Sequence, residues 1–176
     1  PKVDMTHTGN TDIWAGKVNF DGTMKNSSFW LNRFAELNSA GGQFRSIKMD
    51  YASVLRPGGK ASKGEITVDT LDLNFGSIVE FDIYNTGFAA DVIKAKHIST
   101  ETKDWEYGPE YLTPVWRFNL QDGTELVEGE YLIAEAATIE GSLSDIKIEG
   151  MGGKKSSLKH ENGKIYLVIE GVRDAS

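Results

Sequence analysis

The sequence predicts an all-β fold, and the alternation of apolar with polar residues is the main observation behind this prediction. Between Glu65 and Ile83 apolar residues recur at every second position, apart from a skipped Thr70 and a break at 74–77. Strict alternation is typical of a strand with one buried face. Nineteen glycines against four prolines fit many tight turns. Breaks so short and so soon repeated indicate strands that turn corners and stack.

The N-terminal half predicts a series of short strands. Residues 1–12, with several Thr and Gly, are predicted to be a loosely held lead-in. Ala35-Glu36-Leu37, which continues the apolar block 29–34, is the only plausible helical stretch, and Ser and Asn nearby make a long helix unfavourable. The strand candidates are 13–15, 17–20, 44–49, 54–55, 66–73 and 79–83.

The C-terminal half continues the pattern after one long insertion. Residues 99–114 are irregular, contain two prolines and are rich in aromatic residues. Asn162-Gly163 lies between two alternating runs and predicts a terminal hairpin over 156–170. Residues 172–176 resemble a linker into further sequence. The remaining strand candidates are 91–98, 115–120, 131–134 and 146–148.

About a dozen short strands at this spacing suit either a β-sandwich or a β-solenoid. No exact repeat of fixed length emerges. A loose unit does recur, in which a glycine turn, a short strand, a polar break and a second strand follow one another, as in 64–73 and 141–148. Such units bury their apolar faces by stacking. The prediction is therefore one domain, 1–176, of parallel β-helix rungs with a C-terminal β-hairpin cap, and a β-sandwich is the alternative.

Several segments between residues 42 and 174 carry a common pattern of glycine turns and short alternating strands. They include 55–59, 64–68, 76–83, 128–133, 139–143 and 162–169. This pattern resembles the C-terminal parts of bacterial autotransporter-type β-helix passengers and of large secreted Bacteroidetes surface proteins. The resemblance implies a right-handed parallel β-helix with a β-rich cap, located outside the cell, and the chain as the end segment of a longer polypeptide.

Composition excludes several classes of function. The net charge of −7 argues against nucleic acid as a partner, because phosphate binding requires clustered Lys and Arg. The absence of cysteine excludes disulfides, thiolate metal sites and a cysteine nucleophile. No run of 18 apolar residues exists, so this segment is not predicted to insert into a membrane. No cofactor is predicted.

No constellation of residues predicts catalysis or metal binding. His7, His97 and His160 share no metal-ligand spacing. Carboxylates at Glu80 and Asp82, with Asp69 and Asp72 on an adjacent segment, have a separation that a glycosidase would permit. The same spacing is expected of any solvated strand face, and Lys94 and Lys96 are the nearest candidates for a lyase base. We therefore predict no catalytic residue, no metal site and no enzyme activity.

Aromatic residues are the better functional lead. Trp105, Tyr107 and Tyr111 lie among acidic residues in the long insertion. Exposed Trp and Tyr rings stack on sugars and dominate many protein interfaces. These three residues are therefore the predicted binding site, for a glycan or for another surface protein, with packing over the core as the alternative. Trp14, Trp30 and Trp116 lie in strand-like runs and are predicted to be core residues.

Three functions are consistent with these observations. The first is a non-catalytic structural module of an extracellular or cell-surface bacterial protein. The second is a carbohydrate-binding or adhesion module that uses the aromatic loop 104–111. The third is a fragment of a polysaccharide-degrading β-helix enzyme, which requires a groove lined by carboxylates and a basic residue.

Overall fold

A computed structural model describes residues 9–59, 63–74, 76–84, 88–101, 113–121 and 124–171. These residues form fifteen strands and a single turn of 3-10 helix at Leu143–Asp145. The strands are β1 (Gly9–Ile13), β2 (Lys17–Asn19), β3 (Thr23–Leu31), β4 (Glu36–Ser39), β5 (Gln43–Met49), β6 (Val54–Pro57), β7 (Glu65–Leu73), β8 (Ile78–Ile83), β9 (Val92–Ser99), β10 (Val115–Leu120), β11 (Gly129–Glu135), β12 (Thr138–Glu140), β13 (Lys147–Glu149), β14 (Ser156–Glu161) and β15 (Lys164–Ile169).

Successive strands alternate between two sheets. Sheet A has the order β1-β3-β5-β7-β9-β11-β15-β14, with β12 also paired to β9, and sheet B has the order β13-β10-β8-β6-β4-β2. Every pair in sheet B is parallel, and so are the pairs of sheet A as far as β11 and β12. The predicted all-β class is confirmed. Parallel pairing is compatible with a β-helix and differs from the antiparallel pairing of the β-sandwich alternative.

The register reveals a repeat length in the N-terminal half that the sequence analysis missed. Gly9 pairs with Ser27, Ser28 with Ser46, and Leu37 with Leu55, and the partners in each pair are 18 residues apart. Later pairs are further apart in the sequence, since longer connections separate their strands. Parallel partners face the same way, so each position of one strand lies beside its equivalent in the next.

The core consists of columns of apolar side chains, one from each successive strand. Phe29, Ile47, Leu71 and Ile98 are paired in register across β3, β5, β7 and β9, and each is at most 2% exposed. In sheet B, Trp116 packs its ring 5.3 Å from that of Phe81. Such columns let every strand bury its apolar face against its neighbours, and this burial is the main driving force for the fold.

The strands of sheet A change phase in the middle, as the skipped Thr70 predicts. Val68 and Leu71 are both buried, whereas Asp69 and Thr70 between them are half-buried. Phe44 and Ile47 in β5 show the same spacing of three. Two successive residues therefore face outward, and the alternation resumes beyond them. The interpretation of this break as a corner within the strand is consistent with the structure.

Stacked turns connect sheet A to sheet B. In successive turns the amide of the fourth residue donates to the carbonyl of the first: Ala35 to Asn32, Ser53 to Asp50, and Ser77 to Asn74. The third residue of each is left-handed, with φ of 64° at Phe34, 57° at Ala52 and 63° at Gly76. The helix predicted at 35–37 is wrong, because Glu36 and Leu37 belong to β4, where a register of parallel bonds overrides local propensity.

The C-terminal hairpin is confirmed. β14 and β15 pair antiparallel, and both turn residues, Asn162 and Gly163, have positive φ values of 52° and 75°. β15 also pairs antiparallel with β11, so the hairpin closes this side of sheet A. The predicted lead-in at 1–12 is too long, because Gly9 to Ile13 pair with β3. Most of the insertion 99–114 and the segment 172–176 lie outside the described residues.

Candidate functional site

The outer face of sheet A contains a groove of about 560 Å³ across β1, β3, β5 and β7. The middle of the groove is a row of short polar side chains that are paired in register, Asn10, Ser28, Ser46 and Thr70. The Ser46 hydroxyl donates to that of Ser28 at 2.8 Å. We call this surface the sheet A groove; its residues are Asn10, Ser28, Trp30, Arg45, Ser46, Ile47, Lys48, Asp69, Thr70 and Asp72.

Trp30 lies along one side of the groove in a fixed position. Its indole N–H donates to Asp50 Oδ2 at 2.8 Å, and Lys48 Nζ lies 4.7 Å from the centre of its ring. Asp50 also accepts a hydrogen bond from Asn74 Nδ2 at 3.2 Å through its other oxygen. The corner between the sheets therefore orients the ring, which is half-buried on the outer face. The prediction that Trp30 is a core residue is wrong, since its phase in β3 points it outward.

The groove contains charged groups whose pairing is incomplete. Asp69 pairs with Lys96 at 3.2 Å. Within the described part of the chain, Arg45 and Lys48 have no carboxylate within ion-pair distance. Asp72 Oδ1 is shielded from solvent and accepts no hydrogen bond from a described residue. A buried acceptor without a donor is costly, so the groove holds unused hydrogen-bonding capacity.

The outer face of sheet B is also charged, but its charges are paired with one another. Asn38, Arg56, Glu80, Arg117 and Glu149 follow one another across the strands, and we call this column the sheet B ladder. Arg56 lies 2.7 Å from Glu36 and 3.3 Å from Glu80. Arg117 lies 3.1 Å from Glu149 and 4.0 Å from Glu80. The ladder is a closed network of ion pairs along the module.

The two faces of the molecule impose opposite pKa shifts on carboxylic acids. Burial would raise the pKa of Glu36, but the hydrogen bond and positive charge of Arg56, with Lys17, outweigh burial and lower the pKa. Asp91, at the corner that leads from sheet B back to sheet A, is 1% exposed. Burial, opposed by hydrogen bonds from the Asp82 and Gly64 amides, raises the pKa of Asp91 to about 7. No cation compensates at Asp91, which binds backbone amides at 2.9 and 3.0 Å.

Exposed aromatic residues lie on the corner beside the groove. Trp14 is 76% exposed and Phe34 is 68% exposed, and the ring of Phe34 meets Tyr51 edge-on at 6.3 Å. Asn32 donates to the carbonyl of Ile13, so the turn that carries Phe34 adjoins the one that carries Trp14. The prediction that Trp14 is a core residue is wrong, because β1 ends at Ile13 and the alternation does not extend past it. Trp116 is fully buried, as predicted.

The predicted binding residues Trp105, Tyr107 and Tyr111 lie outside the described residues, so that binding site stays a prediction. The predicted proximity of four carboxylates is wrong, because Asp69 and Asp72 lie in sheet A and Glu80 and Asp82 in sheet B. The candidate lyase bases are engaged in ion pairs, Lys94 with Glu65 and Lys96 with Asp69.

Two of the three histidines are described, and both have hydrogen-bond partners. His97 Nδ1 lies 2.7 Å from the Thr138 hydroxyl, and His160 Nε2 lies 2.7 Å from the carbonyl oxygen of Ala136. The described residues contain no group of three His, Asp or Glu side chains arranged to hold a metal ion. Within the same ranges, no helix is long and apolar enough to cross a membrane.

No protein-family model matches the sequence, and comparison with curated proteins finds no significant match. The groove and the ladder are therefore interpreted from their own geometry.

Proposed function

We propose that the chain is a non-catalytic structural module, a parallel β-solenoid that forms part of a longer extracellular or cell-surface bacterial protein. The sheet B ladder is the observation that carries this proposal. Its charged side chains repeat from strand to strand and pair along the direction in which strands stack. Such a network stabilises an array of units, and it leaves few of its charged groups free to act on a substrate.

A structural module built from equivalent units should tolerate the loss of one whole unit. Ser28 and Ser46 are equivalent in register, as are Phe29 and Ile47. Deletion of residues 29–46 removes 18 residues and joins Ser28 to Ile47, so that every later side chain keeps its face. We expect this variant to unfold in one cooperative transition, with a smaller denaturant m-value because less surface is buried.

A matched deletion of residues 29–45 serves as the control. It removes one residue fewer and places Ser46 where Phe29 faced the core, and a shift of one residue reverses the faces of a strand. We expect this control to lack the cooperative transition, as measured by circular dichroism in urea. If both deletions abolish folding, the units are not interchangeable and the proposal of a repetitive structural module fails.

A further inference from the structure

We propose that the sheet A groove is a binding site for a short saccharide chain that lies across β1, β3, β5 and β7. This inference goes beyond the structural role proposed above and involves neither the loop 104–111 nor its aromatic residues. It depends on three observations: the row of hydroxyl and amide side chains, the oriented indole of Trp30, and the unpaired charged groups on either side of the row.

The row of short side chains suits a ligand that both donates and accepts hydrogen bonds at the same atoms. Hydroxyl groups have one donor and two acceptor lone pairs, and Ser28, Ser46 and Thr70 present such groups on neighbouring strands. The strands are about 4.8 Å apart, so the row extends over the length of a few linked sugar rings. A single sugar would occupy part of it.

Trp30 and Asp72 supply the two contacts that distinguish a sugar from other polar ligands. An indole offers a flat apolar surface for the C–H face of a pyranose ring, and the hydrogen bond to Asp50 holds this surface in place. Asp72 Oδ1 is an acceptor without a donor in the described part of the chain. A sugar hydroxyl would supply that donor, while the unpaired Arg45 and Lys48 would donate to ring or hydroxyl oxygens, or to a carboxylate of an acidic sugar.

A peptide is a poorer fit to this surface. Extended peptides bind by adding a strand to an open sheet edge, but β3, β5 and β7 each pair with a strand on both sides. The groove lies on the face of these strands, where side chains alone can make contacts. Its polar lining offers few positions for apolar anchors, apart from Trp30.

The test titrates the isotope-labelled chain with cellohexaose and laminarihexaose as neutral probes and with a galacturonate hexamer as the acidic probe. We expect at least one probe to shift the Trp30 indole resonance and the amide resonances of Ser46 and Thr70. A neutral probe that binds identifies hydroxyl recognition, whereas binding of the acidic probe alone identifies a carboxylate held by Arg45 and Lys48. Asp72→Ala should weaken the dissociation constant about tenfold or more.

Arg45→Ala and Lys147→Ala provide a matched pair that keeps the fold. Arg45 is exposed and has no ion pair with a described residue, so its loss should weaken binding while the chain stays folded. Lys147 lies on the outer face of sheet B with its side chain 65% exposed, and Lys147→Ala should leave binding unchanged.

The proposal is overturned if none of the three probes shifts these resonances at millimolar concentration. Shifts confined to the sheet B ladder, or binding that persists unchanged in both Arg45→Ala and folded Asp72→Ala, also overturn it. If Asp72→Ala does not fold, Arg45→Ala alone decides. Because the deletion experiment measures folding and this titration measures binding, either proposal can fail without the other.

Discussion

The outer faces of sheets A and B are built on the same principle of stacked, in-register side chains, yet they differ in how those side chains are satisfied. On sheet B, each long charged residue of the ladder has a partner of opposite charge one strand away, as Arg56 has in Glu80. On sheet A, the corresponding positions hold short hydroxyls beside Arg45, Lys48 and Asp72, whose pairing is incomplete. One face therefore spends its polar groups on stability, and the other retains them.

Removal of Arg56 should have the largest effect, because it breaks the sheet B ladder at its centre. Arg56→Ala leaves Glu36 and Glu80, both largely shielded, without their closest cation. We expect a loss of about 2 kcal/mol in the free energy of unfolding, below the value for fully buried pairs because these side chains keep some solvent contact.

Arg45→Ala is the matched change on sheet A and should alter the same free energy by less than about 0.5 kcal/mol. Urea unfolding of the two variants measures the difference between the faces directly. Equal losses would mean that the ion pairs of the ladder contribute nothing beyond ordinary surface contacts, and the contrast between the two faces would then have no energetic basis.

Asp91 tests the opposite electrostatic case, a buried carboxylate held by amides alone. In the unfolded chain it ionises near its ordinary pKa of 3.8, whereas in the fold its pKa is about 7. The folded state therefore holds the proton more tightly. The contribution of Asp91 to stability is greatest below about pH 4 and is lost as the pH rises through about 7.

Asp91→Asn separates this effect from all other titrations. The amide cannot ionise, and it keeps a single acceptor oxygen for the amides of Gly64 and Asp82. We expect the variant to be less stable at pH 4 by about 1–2 kcal/mol, and the gap to narrow as the pH rises to 8. A gap that is constant with pH would show that Asp91 does not titrate in this range.

Local patterns in the sequence predicted much of the fold. The alternation between Glu65 and Ile83 located two strands, the skipped Thr70 located the corner within β7, and Asn162-Gly163 located the hairpin. Each of these signals is carried by residues close together in the chain. The errors at Trp14 and at 35–37 arose where a run was too short for its period to distinguish a strand from a turn or a helix.

The sheet A groove could not be predicted in the same way, because its residues come together only through the register of parallel strands. Trp30 and Asp72 lie on strands that are not consecutive in the chain, and the equivalence of Ser28, Ser46 and Thr70 depends on connections of unequal length. The 18-residue spacing was a usable signal. It is carried by residue class, as in the stacked turns that begin at Asn32 and Asp50, rather than by identical residues.

Phe34 should show the smallest effect, and it determines whether the corner beside the groove belongs to the fold or to a binding surface. A left-handed backbone costs a residue with a side chain about 1–2 kcal/mol, and glycine avoids this cost but loses more chain entropy. The ring is largely exposed and meets Tyr51 by its edge. We expect Phe34→Gly to raise the free energy of unfolding by about 0.5 kcal/mol in urea. Ala52→Gly, at the equivalent turn position, gives the same relief without removing a ring. If Phe34→Gly instead lowers stability by more than about 1 kcal/mol while Ala52→Gly raises it, the ring packs against the fold and is not available to a partner.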